Sequence, residues 1–170
     1  MGRYRSPPEK SSPYITRGGA TSLREELQYL WRKKRPQVLS ALAAAAAEGD
    51  RSENAEYIYR KKQIAEIDRR VRYLSKRMDD LRIVDQLPAD RHSVYFGARV
   101  ELTDQAGKGY CYRIVGADEF HLEKTWISVD SPMAKALIGR KLGDKVTVVR
   151  PQGTAVFEIT AIRYQEAGSE

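Results

Sequence analysis

"IAEIDRRVRYLSKRMDDL", residues 64–81, decides how this chain is read. Ile64, Ile67, Val71, Leu74, Met78 and Leu81 recur at steps of 3, 4, 3, 4 and 3, the spacing of a coiled-coil seam. About three heptads make a short two-chain coil, and the upstream sequence offers a partner within the same chain. Leu23, Leu27, Leu30, Trp31, Val38 and Leu42 precede a run of alanines. Only about six residues, Gly49 to Asn54, connect the two segments, so the second helix folds back on the first as an antiparallel hairpin. Thr16 and Ser22 are both possible N-caps of the first helix, Ser22 with Glu25 at capping-box spacing. Pro36 cannot donate to the carbonyl of Arg32 and is expected to bend the helix there. A helical Ser22–Glu48 gives an arm roughly 40 Å long.

Beyond the arm the periodicity changes. "VYFGARVELTD" (94–104), "GYCYRIVGAD" (109–118), "TWISVD" (125–130), "KVTVVR" (145–150) and "AVFEITAIRY" (155–164) alternate and are rich in β-branched and aromatic residues. They read as five strands. "SPMAKALIG" (131–139) reads as a short helix with Ser131 as N-cap and Pro132 at its first position. The fold class is therefore α+β: a helical hairpin, then a curved antiparallel sheet packed on one helix. The expected boundaries are a disordered tail over 1–15, the hairpin over 16–82, a linker over 83–93 and the sheet domain over 94–166.

The net charge is +7 and the pI about 9.5, which suggests an anionic partner such as nucleic acid. Residues 1–85 hold 19 Lys/Arg against 12 Asp/Glu, whereas residues 86–170 hold 11 of each. The excess thus lies in the arm and its tail. On a helical wheel Lys61, Lys62, Arg69, Arg72 and Lys76 share one flank of the seam, with Arg70 and Arg77 further round. "RKKR" (32–35) adds to them from the first helix. A charged helix surface is often simply solvated, but few acids at i±4 interrupt this flank, and an RNA or DNA backbone would relieve the repulsion. No stretch is long and apolar enough for a membrane span, and "MGRYRSPPEKSSPY" lacks a secretory apolar core. With Cys111 as the one cysteine, the expected location is the cytoplasm and no membrane is expected as partner.

Asp50 and Glu53 lie three apart in the connection between the helices. Two accounts are open. Asp50 can cap the second helix with Glu53 reaching back from N3, both favoured by the helix dipole. Alternatively, the two carboxylates are half of a metal site. Mg²⁺ prefers six oxygens, so two protein ligands hold it only weakly, and a second macromolecule must supply the rest. Such a tip would hold an ion and position a water in a two-metal reaction. The alanines behind it keep the arm slender, or simply favour helix.

"GDRSENAEY" (49–57), "EIDRRVRYL" (66–74), "ISVDSPMAKAL" (127–137) and "GD" (143–144) resemble the bacterial Gre transcript cleavage factors. "LWRKKRP" (30–36), "GDRSEN" and "RRVRYL" bring the pattern closer to GreB than to GreA. The resemblance covers about residues 15–165. It implies an N-terminal antiparallel coiled coil and an FKBP-like C-terminal domain, acting as a monomer. It also implies that the C-terminal domain docks at the rim of the RNA polymerase secondary channel while the coiled coil enters it. There Asp50 and Glu53 would help bind the second Mg²⁺ of the polymerase active centre. The polymerase then cleaves the 3′ part of a backtracked transcript, and the factor has no nuclease activity alone. Ser52, Asn54 and Tyr57 match supporting positions of the tip. Lys61 and Lys62, then Arg60 and Arg69, match the region facing the nascent RNA 3′ end. Asp130, Ser131 and Pro132 match the loop that engages the polymerase, although a strand end and helix cap explain them equally well. The N-terminal tail is longer than usual for the family, and the alanine run is purer.

Other readings are a channel-binding regulator that does not cleave, a prolyl isomerase, and an arm that grips free RNA. "GDRSEN" argues against the first, fold alone does not carry the second, and the third predicts tight, salt-sensitive binding to free RNA. His92 and His121 have no metal-ligand spacing and read as surface residues. Cys111, Trp31 and Trp126 read as packing residues.

Overall fold

The structure, a computed structural model, describes residues 10–47, 54–151 and 153–165. Two compact units are present: Ala20–Leu81, and the residues up to Gly19 together with those from Arg82 onward.

The arm begins with α1 (Arg17–Tyr29), continues through a π-helix (Leu30–Lys34) into α2 (Arg35–Ala47), and returns as α3 (Ala55–Asp80). Thr16 is the residue that starts α1: its Oγ1 accepts the Gly19 N–H at 3.0 Å. Every seam position of α3 from Ile64 to Leu81 is buried or half-buried, with Ile67 and Leu74 deepest, whereas Lys61, Lys62, Arg69, Arg72 and Lys76 are exposed. The heptad reading is therefore borne out.

The bend expected at Pro36 takes the form of the π-helix. The Arg35 N–H donates to the Leu30 carbonyl, five residues back, and the wider turn accommodates a proline that neither donates nor tolerates the carbonyl four residues before it. It also corrects the phase. Leu30 and Val38 are both buried, yet eight residues at 100° each leave them about 80° apart on a regular helix. The wide turn absorbs one residue and returns both to the seam. Trp31 does not pack in the core as expected. It is 55% exposed on this wide turn, with the Arg35 guanidinium 5.2 Å above its ring.

In the other unit, β3 (Arg99–Asp104), β4 (Gly109–Val115), β5 (Trp126–Ser128), β6 (Lys145–Arg150) and β7 (Gly153–Arg163) form one sheet in the order β5-β4-β3-β7-β6. All five expected strands are present. The sheet is mixed rather than antiparallel, because β5 pairs in parallel with β4 after the loop 116–125 carries the chain back to the start of β4. A register shift against Glu101/Leu102 marks a bulge in the β3–β7 ladder, which bends the sheet. Alternate residues Val100 and Leu102, Val146 and Val148, and Phe157 and Ile159 face one core. They meet Ala134 and Leu137 of α4 (Pro132–Leu137). Gly143, at φ +83°, occupies the left-handed region that the turn before β6 requires.

Two expectations about the chain ends of this unit change. The tail placed over 1–15 is structured in its last residues: Tyr14–Ile15 (β1) pairs in parallel with Arg82–Ile83 (β2). The linker placed over 83–93 accordingly begins with a paired strand, and the Val84 N–H donates to the Ile15 carbonyl. The pairing joins segments too short and too distant in sequence to show a pattern.

Candidate functional site

The connection at the end of the hairpin is bracketed by Ala47 and Asn54. Asn54 caps α3: its Oδ1 accepts the Tyr57 N–H at 3.0 Å, and its Nδ2 donates to the Ala45 carbonyl at 2.8 Å. One side chain thus closes the start of α3 and holds the end of α2. Ala45 is buried, so a small residue there permits the approach. This corrects the capping account of the acids. The N-cap of α3 expected at Asp50 is supplied by Asn54. Asp50, Ser52 and Glu53 lie outside the described residues. Tyr57 is half-buried in the first turn of α3.

The flank behind this end separates into paired and exposed cations. Arg70 makes a bidentate contact with Glu26 (2.8 Å for each bond). Arg35 donates to Asp68 at 2.7 Å, and that hydrogen bond raises the guanidinium pKa. Arg60 donates to Glu56 at 2.7 Å and to Gln63 at 3.1 Å. Sequence spacing pointed to a nearly uninterrupted basic surface, but Glu26 and Asp68 pair across the hairpin. Lys61, Lys62 and Arg69 remain exposed on α3 and present charge suited to a phosphate backbone. Arg60 instead is drawn into local contacts.

In the sheet unit, Ser131 and Pro132 open α4 as expected, with Ser131 Oγ accepting the Ala134 N–H at 3.2 Å. Asp130 is half-buried and accepts the Ser12 N–H at 2.9 Å. Pro132 is exposed. Sequence reasoning missed a buried cluster in the same unit. Glu119 is fully buried and accepts hydrogen bonds from the Thr16 N–H (2.9 Å), the Thr16 hydroxyl and the Gly116 N–H (2.7 Å). A Cβ at Gly19 would lie 1.9 Å from its Oε2. Its only sequence signal is a carboxylate three residues after a glycine.

Among the described residues no group of His, Cys, Asp and Glu could hold a metal ion, and no helix is long and apolar enough to cross a membrane. His92 and His121 are exposed, and Cys111 is half-buried on β4.

Residues 13–83 match the family described as transcription elongation factor, N-terminal, and residues 89–164 match transcription elongation factor, GreA/GreB, C-term. The transcription elongation factor GreB of Xanthomonas axonopodis pv. citri is 55% identical over 166 residues, covering 96% of this chain and 98% of that one. The GreB of Pseudomonas aeruginosa is 51% identical over 167 residues, 98% and 99% of the two chains. The crystal structure of the GreA factor homolog 1 (Gfh1) protein of Thermus thermophilus aligns with a TM-score of 0.40 at 25% identity, covering 88% of this chain and 97% of that one. Sequence matches to both family regions and to relatives over nearly their whole length lead to one conclusion: this chain belongs to the GreA/GreB family of transcription elongation factors.

Proposed function

We propose that this chain binds RNA polymerase through its secondary channel and stimulates the polymerase's own cleavage of the 3′ part of a backtracked transcript, so that an arrested elongation complex resumes. Family membership supports the setting. The observation that carries the reading further is the cap of α3. Asn54 performs that task, so capping of α3 does not call for Asp50, and the metal-ligand account of the two acids is the one we carry forward.

The two acids are hard oxygen ligands, suited in kind to Mg²⁺ and too few to hold it alone. They would complete a site shared with the polymerase, where the ion supplies charge stabilisation and an activated water. Asn54 and Tyr57 fix the point at which the connection joins α3, and Ser52 lies between the acids in sequence. Lys61, Lys62 and Arg69 face the nascent RNA 3′ end, with Arg60 in a bracing position. Asp130, Ser131 and Pro132 form the contact with the polymerase. The factor is an accessory protein acting as a monomer in the cytoplasm, not a nuclease in its own right.

The test is transcript cleavage in a stalled, backtracked elongation complex, wild type against Asp50→Asn, Glu53→Gln and the double variant. Cleavage is expected to be lost while binding to polymerase is nearly unchanged. A wild-type chain that binds polymerase and leaves the transcript intact would instead identify a non-cleaving channel regulator.

A further inference from the structure

We propose that Ser12 is a positioning residue for polymerase binding: its backbone N–H holds the Asp130 carboxylate in the orientation that the polymerase meets. The inference deepens the function above and rests on its assignment of Asp130, Ser131 and Pro132 to the polymerase contact. It gives a task to the last residues of a stretch that composition alone reads as a tail.

The Ser12 N–H donates to Asp130 Oδ2 at 2.9 Å, across 118 residues of sequence. The backbone of the loop needs no such help, because it is held from within. The Asp130 N–H donates to Ser128 Oγ at 3.1 Å, and the Ser131 N–H donates to the Ser128 carbonyl at 2.9 Å. Ser131 then caps α4. These bonds fix where Asp130 sits but not the torsions of its side chain. The Ser12 bond selects among them. It occupies one carboxylate oxygen, and among the described residues the other accepts no hydrogen bond.

A contact on a docking loop can either prepare it or block it, and the anchoring of the N-terminal segment decides between the two. A blocking segment must leave at modest cost. This one is tied at successive residues to the unit that carries Asp130. The Pro13 carbonyl accepts the Arg82 N–H at 2.8 Å and the Ile15 carbonyl accepts the Val84 N–H at 2.9 Å, within the β1–β2 pairing. The Thr16 N–H and hydroxyl are held by Glu119, and Ile15 and Thr16 are buried. Gly116 lets the segment lie close, since a Cβ there would stand 2.4 Å from the Tyr14 carbonyl oxygen. Pro13 steers Ser12 to extended backbone, so the N–H is aimed by the chain and not by a flexible side chain. A carboxylate held in this way loses less rotamer freedom when a partner engages it. The donor belongs to the main chain, so residue 12 can vary as long as it carries an N–H.

The test uses the full-length chain, bacterial RNA polymerase and a double-mutant cycle. Ser12→Pro removes the N–H and should weaken polymerase binding by about threefold to tenfold. Ser12→Ala keeps the N–H and should stay within about twofold. Asp130→Ala weakens binding by itself, and adding Ser12→Pro to it should change nothing further. In a backtracked elongation complex, Ser12→Pro should raise the factor concentration for half-maximal cleavage and leave the maximal rate unchanged. Amide exchange checks the contact without polymerase and without a proline: the Ser12 N–H should be protected in the wild type and lose protection in Asp130→Ala, while the Thr16 N–H keeps its own. Binding unaltered by Ser12→Pro, a Ser12→Pro effect that adds in full to that of Asp130→Ala, or a Ser12 N–H unprotected in the wild type overturns the inference. Tighter binding by Ser12→Pro overturns it as well and makes the segment a block. Cleavage is scored separately. A wild-type chain that binds polymerase with the Ser12 dependence but does not stimulate cleavage removes the proposed cleavage and leaves the inference; cleavage with no Ser12 dependence does the reverse.

Discussion

The carboxylate of Glu119 accepts both the backbone N–H and the side-chain hydroxyl of Thr16, 103 residues earlier in the chain. The same carboxylate takes the Gly116 N–H. Thr16 also caps α1 through Gly19. A single buried acid therefore satisfies three donors where the N-terminal segment meets the sheet unit, and charge-assisted bonds of this kind are the stronger class.

Glu119→Ala should cost about 3 kcal/mol or more, because it strands buried donors on Thr16 and Gly116 in addition to losing the bonds. Glu119→Gln, with one acceptor retained, should cost less. Gly19→Ala should be as damaging as the alanine at 119, because its Cβ has no space beside the carboxylate. Urea unfolding of the three variants would establish the order. Equal stability of Glu119→Ala and wild type would remove this cluster from the account of the fold.

Asn54→Ala should destabilise the hairpin by about 1–2 kcal/mol, a full capping loss together with the bond to the Ala45 carbonyl. Asn54→Ser keeps an acceptor for the Tyr57 N–H but cannot reach Ala45 as the longer amide does, so an intermediate loss is expected. Thermal unfolding and amide exchange at Tyr57 separate the two contributions.

The π-helix makes an unusual expectation about length. Deleting Lys33 together with Pro36→Ala shortens the Leu30–Val38 interval to a heptad and removes the proline, so a regular helix can bury both residues. Stability should stay within about 1 kcal/mol of wild type. Deleting Ser40 rotates the rest of α2 by about 100° and should cost several kcal/mol through displaced seam residues. Comparable damage from both deletions would mean that the wide turn does not correct the phase.

Asp104 holds the turn between β3 and β4. It accepts N–H groups of Lys108 and Ala106, both at 2.9 Å, and the Tyr110 hydroxyl at 3.1 Å. The Lys108 bond above all lowers its pKa below the ordinary 3.8. A carboxylate with a depressed folded pKa contributes stability that is fully present above its ordinary value and is lost as pH falls through the folded value. Asp104→Asn should therefore be destabilising at pH 7 and progressively less so below about pH 4. Urea midpoints of variant and wild type at pH 7 and pH 3 test this, and a constant difference would contradict it.

The elements that announce themselves are those whose partners are periodic or local. The Ile64–Leu81 seam repeats along one segment, the five strands alternate, and Ser131 stands beside Pro132 at the start of α4. The parts that stayed hidden depend on distant or single contacts. Tyr14–Ile15 is too short to carry a period, and its partner Arg82–Ile83 follows in sequence only after the whole arm. Glu119 is one acid in a loop, indistinguishable in sequence from a solvated one until Thr16 is placed against it. At the candidate site, the exposure of Lys61 and Lys62 on α3 follows the charge pattern, whereas the residue that caps the helix does not. Asp50 and Asn54 are both good caps by residue type, and only the start of α3 at Ala55 decides between them. Tyr59 and Lys34 line one groove, and the wide turn that carries Lys34 is not revealed by spacing on a regular wheel.

The pairing of Tyr14–Ile15 with Arg82–Ile83 has an evolutionary reading as well as a mechanical one. The chain leaves for the arm and returns from it through two neighbouring strands of the same small sheet, so everything between them is a cassette. Its length and chemistry can be exchanged without rethreading the unit that carries it. One scaffold can thus be fitted with arms of different reach or different acids, provided that the two short strands still find each other.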